Sequence, residues 1–245
     1  MKNQNKFAPQ LYIFDDAEQL AENLACNFQQ QVQRSGEKFT VALSGGGTPT
    51  VFFTCLASAP FREEICWEKV HFFWGDERCV PPDHAESNYR MTRETLLDHI
   101  LIPAENIHRI RGEVAAPAEA QRYAGEMGHF LEIAANGFPI FDWIILGLGT
   151  DGHTASLFPN ALSLREETQF CVAAVHPQTG QQRVSLTLPV INQARRVSFL
   201  VTGSEKANLV RKIIQTEELA DLPAARVKPA FGRLEWYLDE AAAPR

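Results

Sequence analysis

Apolar side chains at Leu20, Leu24, Phe28 and Val32 recur at helical spacing behind Asp15 and Asp16, and Gly36 closes the pattern, which predicts an amphipathic helix. FTVALS (39–44) is a short β-rich run that ends in SGGGTP, and VFFTCLAS (51–58) follows as a buried helix. The order of strand, polar or glycine-rich loop and helix then returns in variant form. VHFFWGDER (70–78) is a strand and loop before a helix from about Asn88 to Ile100 capped by Ser87, and FDWIILGLG (141–149) is a strand and turn. RVSFLVTG (196–203) is a strand that leads into the helix SEKANLVRKIIQ. Around Val114 to Ala120 the small residues suit a flexible connection or the approach to a helix over Ala118 to Ala135, and the tail from Leu238 to Arg245 is expected to fray.

Strands alternating with helices predict an α/β fold, a mostly parallel sheet with helices on both faces. The carboxyl ends of parallel strands share one edge, so their loops can meet in one pocket. At 245 residues the chain is of a size that α/β proteins often fold as one domain, expected here to span residues 1–245.

Composition narrows the function. A formal charge of -7 argues against a general nucleic-acid binder and leaves room only for a local anion site. The start MKNQNKFAPQ has no apolar signal core and no stretch is long enough to span a bilayer, so a cytoplasmic protein without membrane contact is expected. Five scattered cysteines, with no C-x-x-C pair, predict reduced structural thiols, and Cys79 has no base at a recognisable spacing.

Four motifs carry candidate chemistry. In IILGLGTDGHTASLFP (144–159), a buried strand runs into a turn holding Asp151 and His153, and a histidine there can take a proton from water and return it; the competing reading is a capping turn with an incidental histidine. Gly46, Gly47 and Thr48 lie between a strand and a helix, where free N–H groups suit a phosphate or simply form a tight turn. The loop lacks the Lys-Ser/Thr of a nucleotide P-loop and is not G-x-G-x-x-G. Asp76, Glu77 and Arg78 read alone as a solvated loop more than as an anion and hydroxyl clamp. Lys206 opens a helix as a phosphate ligand or a surface lysine, and Arg183 is a pocket cation or, by a small margin, a surface ion pair.

Together SGGGTP, GDER with SNYRM, LGLGTDGHTASLFP, RVSLTLPVIN and VTGSEKA, in this order, resemble the 6-phosphogluconolactonase family, and PAARVKP with LEWYLD is similar too. The resemblance implies a Rossmann-like fold shared with glucosamine-6-phosphate deaminases and ribose-5-phosphate isomerases, with no metal or organic cofactor. It implies hydrolysis of 6-phospho-D-glucono-1,5-lactone in the oxidative pentose phosphate route, with His153 as general base and Asp151 beside it. Gly46, Gly47 and Thr48 map to the substrate loop, and Arg78, Arg183 and Lys206 to positive positions around its phosphate. Asn88 falls within the matching SNYRM stretch. The alternatives are an amino-sugar-phosphate isomerase or deaminase, and a non-catalytic sugar-phosphate-sensing module. The deaminases carry a glutamate shortly after Asp-Gly-His, where this chain has Thr154 to Pro159, and the sensor reading lacks a helix-turn-helix extension. The implied partner is a small sugar-phosphate lactone; nothing in these residues specifies association with glucose-6-phosphate dehydrogenase.

Overall fold

The computed structural model describes residues 9–215 and 221–244. Its strands are β1 (Gln10–Phe14), β2 (Phe39–Leu43), β3 (Val70–Trp74), β4 (Asp76–Arg78), β5 (Ile107–His108), β6 (Glu132–Ile133), β7 (Pro139–Ile140), β8 (Trp143–Leu146), β9 (Cys171–Val175), β10 (Gln182–Leu186), β11 (Arg196–Val201) and β12 (Arg233–Asp239). The helices are α1 (Ala17–Arg34), α2 (Gly47–Leu56), α3 (Phe61–Glu64), α4 (Asn88–Thr95), α5 (Ala116–Phe130), α6 (Leu188–Gln193) and α7 (Ala207–Gln215). Seven strands form one sheet in the order β1-β12-β11-β8-β2-β3-β5, and all six pairings are parallel. The α/β expectation holds. Every residue of β2 and β8 is buried, so both faces of the sheet's centre are covered, as a central parallel strand requires.

The chain builds outward from β2 through β3 to β5, then crosses back to place β8 on the other side of β2. That reversal opens a crevice between the carboxyl ends of β2 and β8, the place where open α/β sheets accept ligands. Phe28 of α1 anchors the core beneath it, stacked near Phe72 and Trp143 and edge-on to Phe39 and Phe52. Asp16 caps α1 by accepting from the Gln19 N–H at 2.8 Å, and Ser87 caps α4 by accepting from the Arg90 N–H at 3.1 Å.

Several sequence expectations are corrected. GDER is not a solvated loop. Gly75 N–H still bonds to the Leu43 carbonyl of β2 at 2.8 Å while its carbonyl accepts from Leu186 N–H of β10, so the chain passes directly from the main sheet into an antiparallel sheet, β4-β10-β9, with Asp76 and Glu77 buried. The helix from Asn88 stops at Thr95, with a single 3-10 turn at Leu97–His99. The small residues before Ala118 are the first turn of α5, which ends at Phe130 rather than Ala135 because the chain turns at Asn136 and Gly137 (φ 86°) to pair β6 with β7. Leu238 does not fray: it is fully buried in β12, and Ala242 N–H bonds to the Asp239 carboxylate at 2.7 Å.

Candidate active site

A cleft of about 210 Å³ lies at the switch point, walled by the loops after β2, β8 and β11 and by the antiparallel sheet. Gly46, Gly47, Thr48, Arg78, His153, Arg183 and Lys206 all line it, as do Asp76 and Asn88. Asp151 stands behind His153 rather than in the wall. The sequence-level candidates thus come from five separate elements to one site.

The histidine is held by its own turn. Gly149 N–H bonds to the His153 carbonyl at 2.9 Å, Gly152 adopts φ 86°, and the Thr154 hydroxyl donates to the Gly147 carbonyl at 2.9 Å. Asp151 Oδ1 accepts from the His153 backbone N–H at 3.1 Å and lies 2.6 Å from His153 Nδ1. Burial raises the Asp151 carboxyl, but the His153 backbone and imidazole more than offset it, and the net position is below the ordinary value. An ionised carboxylate can only accept, so Nδ1 carries the proton and neutral His153 presents a bare Nε2. Among the described residues no hydrogen bond engages Nε2. The ring packs 4.9 Å from Phe158, and a side chain at Gly149 would stand inside it.

The cationic wall has a different construction. Arg78 and Arg183 are direct partners across the β4–β10 ladder. Like charges opposite one another destabilise a sheet unless something neutralises them. Arg78 Nη1 donates to the Glu86 carbonyl at 2.5 Å, and Arg183 Nη2 to Gln181 at 3.0 Å, while Asp76 Oδ2 lies 3.8 Å from Arg183 Nη1. Among the described residues the buried Nε of each arginine has no partner. Burial pulls the Arg183 guanidinium below its ordinary value, Asp76 opposes that and Arg78 adds to it. Two arginines facing one another across the ladder, with unused Nε donors, have the chemistry to take an anion. Lys206, in the turn before α7, and the start of α2 complete the basic surroundings. Gly46 caps α2 at φ 113° without a side-chain bond among the described residues, an arrangement in which the N–H groups of a helix start can meet an anion, and the Thr48 hydroxyl pairs with that of Thr202 at 2.8 Å.

Glu77 is absorbed by structure. Its carboxylate, 2% exposed, accepts from the Arg78, Asn88 and Tyr89 N–H groups and the Ser87 hydroxyl at 2.8–2.9 Å, capping α4. Burial pushes the Glu77 carboxyl up against those four bonds. Burial, then Glu77 and Glu119, raise the Cys79 thiol, which keeps it protonated and unreactive. Asp76 was a candidate of the sequence, but its bond from the Ser156 hydroxyl at 2.6 Å was not, because a buried pair 80 residues apart has no spacing signature.

A parallel sheet whose switch-point crevice gathers a carboxylate-paired histidine and two facing arginines is that of an α/β protein suited to small anionic ligands. The chain belongs to the glucosamine-6-phosphate isomerase/6-phosphogluconolactonase family, whose model matches residues 15–236. A 6-phosphogluconolactonase from Haemophilus influenzae is 49% identical over 203 residues, covering 82% of this chain and 85% of that protein. One from Aggregatibacter actinomycetemcomitans is 47% identical over 204 residues, 83% of this chain and 85% of that protein. A solved 6-phosphogluconolactonase structure from Trypanosoma brucei matches with a TM-score of 0.86 at 27% identity, over 97% of this chain and 98% of that one. No helix among the described residues is long and apolar enough to cross a membrane.

Proposed function

We propose that this chain hydrolyses 6-phospho-D-glucono-1,5-lactone to 6-phospho-D-gluconate with His153 as its general base. The observation that carries the reading is the Asp151–His153 pair, 2.6 Å apart, in the same cleft as the facing Arg78 and Arg183. The cations and the α2 N-terminus hold the phosphate, and remote binding of this kind orients the ring for attack. Nε2 of His153 takes a proton as a water oxygen bonds to the lactone carbonyl carbon. The tetrahedral intermediate then collapses, the bond from that carbon to the ring oxygen breaks, and the imidazolium returns its proton to the departing oxygen. Asp151 keeps Nδ1 protonated and stabilises the imidazolium between the two transfers.

Two assays run side by side test the reading. Lactone consumption, corrected for spontaneous hydrolysis, is expected to be fast, and ammonia release from glucosamine 6-phosphate negligible. Comparable ammonia release, or no lactonase activity, would overturn it.

A further inference from the structure

Asn88 is 2% exposed and lines the cleft, yet only half of its carboxamide is used. Its Nδ2 donates to the Asp76 backbone carbonyl at 2.9 Å and stands 3.5 Å from Asp76 Oδ1. A backbone carbonyl can only accept, so this contact settles which end of the amide is nitrogen. The opposite end, Oδ1, receives no hydrogen bond among the described residues. It is also absent from the sealed, unpartnered atoms of the interior, among which Ser44 Oγ and the two arginine Nε atoms are found. Oδ1 therefore has no protein donor among the described residues, on a side chain that lines the cleft beside Gly45.

The surroundings hold that oxygen in place. Glu77 grips the Asn88 and Tyr89 N–H groups at 2.8 Å each, which fixes the first turn of α4. A Cβ at Gly45 would lie 1.9 Å from Asn88 Oδ1 and 2.6 Å from its Cγ. The first glycine of SGGG thus leaves the space into which the carboxamide projects, and the two motifs are coupled although 43 residues separate them. A fixed neutral acceptor on the wall of a sugar-phosphate cleft suits a hydroxyl, because it has no charge for the phosphate and no proton for the reaction.

We propose that Asn88 Oδ1 accepts a hydrogen bond from one ring hydroxyl of the sugar, making Asn88 a specificity-determining residue. This inference rests on the lactonase reading and adds the recognition of the sugar between its carbonyl and its phosphate.

The test compares wild type with Asn88→Ala on 6-phosphogluconolactone and on its 2-, 3- and 4-deoxy forms, each made by oxidising the corresponding deoxyglucose 6-phosphate. Wild type is expected to discriminate against one deoxy substrate by roughly tenfold in kcat/KM, the worth of a neutral hydrogen bond, and Asn88→Ala to lose that discrimination while leaving the other ratios unchanged. A purely structural Asn88 would lower all four substrates by one factor, and that result overturns the proposal. If Asn88→Ala does not fold, Asn88→Ser, shorter by an amide, is expected to show the same selective loss; uniform loss in it is equally fatal. Wild type inactive on the parent lactone would instead refute the lactonase reading, so the two failures are distinct.

Discussion

Substituting Gly149 by alanine tests the position of the His153 imidazole, the proposed base, without altering that side chain itself. An added Cβ would lie 2.1 Å from His153 Nδ1, 2.2 Å from Cε1 and 2.8 Å from Cγ, where ordinary contact begins at 3.4 Å. Gly149 is outside the left-handed region, so an alanine backbone fits and the clash with the ring is the whole perturbation. The ring must retreat by more than an ångström, and it cannot do so while keeping its 2.6 Å contact with Asp151. A displacement of about 1 Å at a reacting group costs roughly 10²-fold in rate. Overpacking adds ~1–3 kcal/mol of destabilisation, which lowers Tm by roughly 2–10 °C in a chain of this length. Initial rates of lactone loss, corrected for the spontaneous reaction, would be measured beside thermal melts. Gly125→Ala, on an exposed face of α5 with open space at its Cβ, is the control and is expected to keep full activity. A folded Gly149→Ala enzyme with wild-type kcat would refute the claim that the observed ring position is the working one.

Asp151→Asn is expected to lower kcat by roughly 10²- to 10⁴-fold with little change in phosphate binding, because the amide no longer holds Nδ1 as a donor or supports the imidazolium; calorimetric binding of 6-phosphogluconate separates the two effects. Arg78→Met and Arg183→Met should each weaken 6-phosphogluconate more than gluconate, and inorganic phosphate should raise Tm in wild type by more than in either variant; equal losses for both ligands would place the arginines outside the phosphate site. Stability should also fall on acidification because of His71, whose Nδ1 lies 3.0 Å from His108 Nε2, with His108 bonded in turn to Glu126 at 2.9 Å. Burial, then His108 and Lys38, lower His71 from 6.5 to about 4. The unfolded chain therefore takes up the proton first, and stability present above pH 6.5 is lost as pH falls to about 4. The loss is ~1–2 kcal/mol once partial exposure is allowed for, and denaturant titrations of His71→Phe should show a flatter profile across that window. Lactonase activity should survive exhaustive chelation, since the proposed steps need only an oriented water, one base and a bound phosphate.

Four strands of the sheet, β2, β3, β8 and β11, were legible because they are short apolar runs ended by polar loops, whereas β1, mostly exposed at the sheet's edge, and the two-residue β5 carry no such run. The loops at the carboxyl edge followed from the same alternation, which is why candidates as distant as Gly46 and Lys206 share a wall. The antiparallel sheet was hidden for a physical reason: Asp76 and Glu77 are acidic residues in a buried strand, and the groups that make that burial tolerable, among them Ser156, Asn88, Arg183 and the α4 N-terminus, are not their neighbours in sequence. The tail misled in the opposite way. LEWYLD carries Glu235, which breaks the apolar run, yet Glu235 is buried against Arg196 at 2.6 Å and Ser198 at 2.8 Å on the neighbouring strand.

The central claim is that His153, oriented by Asp151, is the base. Its most direct test is single-turnover lactone hydrolysis by His153→Ala, with 6-phosphogluconate binding and Tm measured on the same preparation. Turnover is expected to fall roughly 10²- to 10⁴-fold, with product affinity and melting temperature near wild type. Wild-type turnover in the folded variant would contradict it.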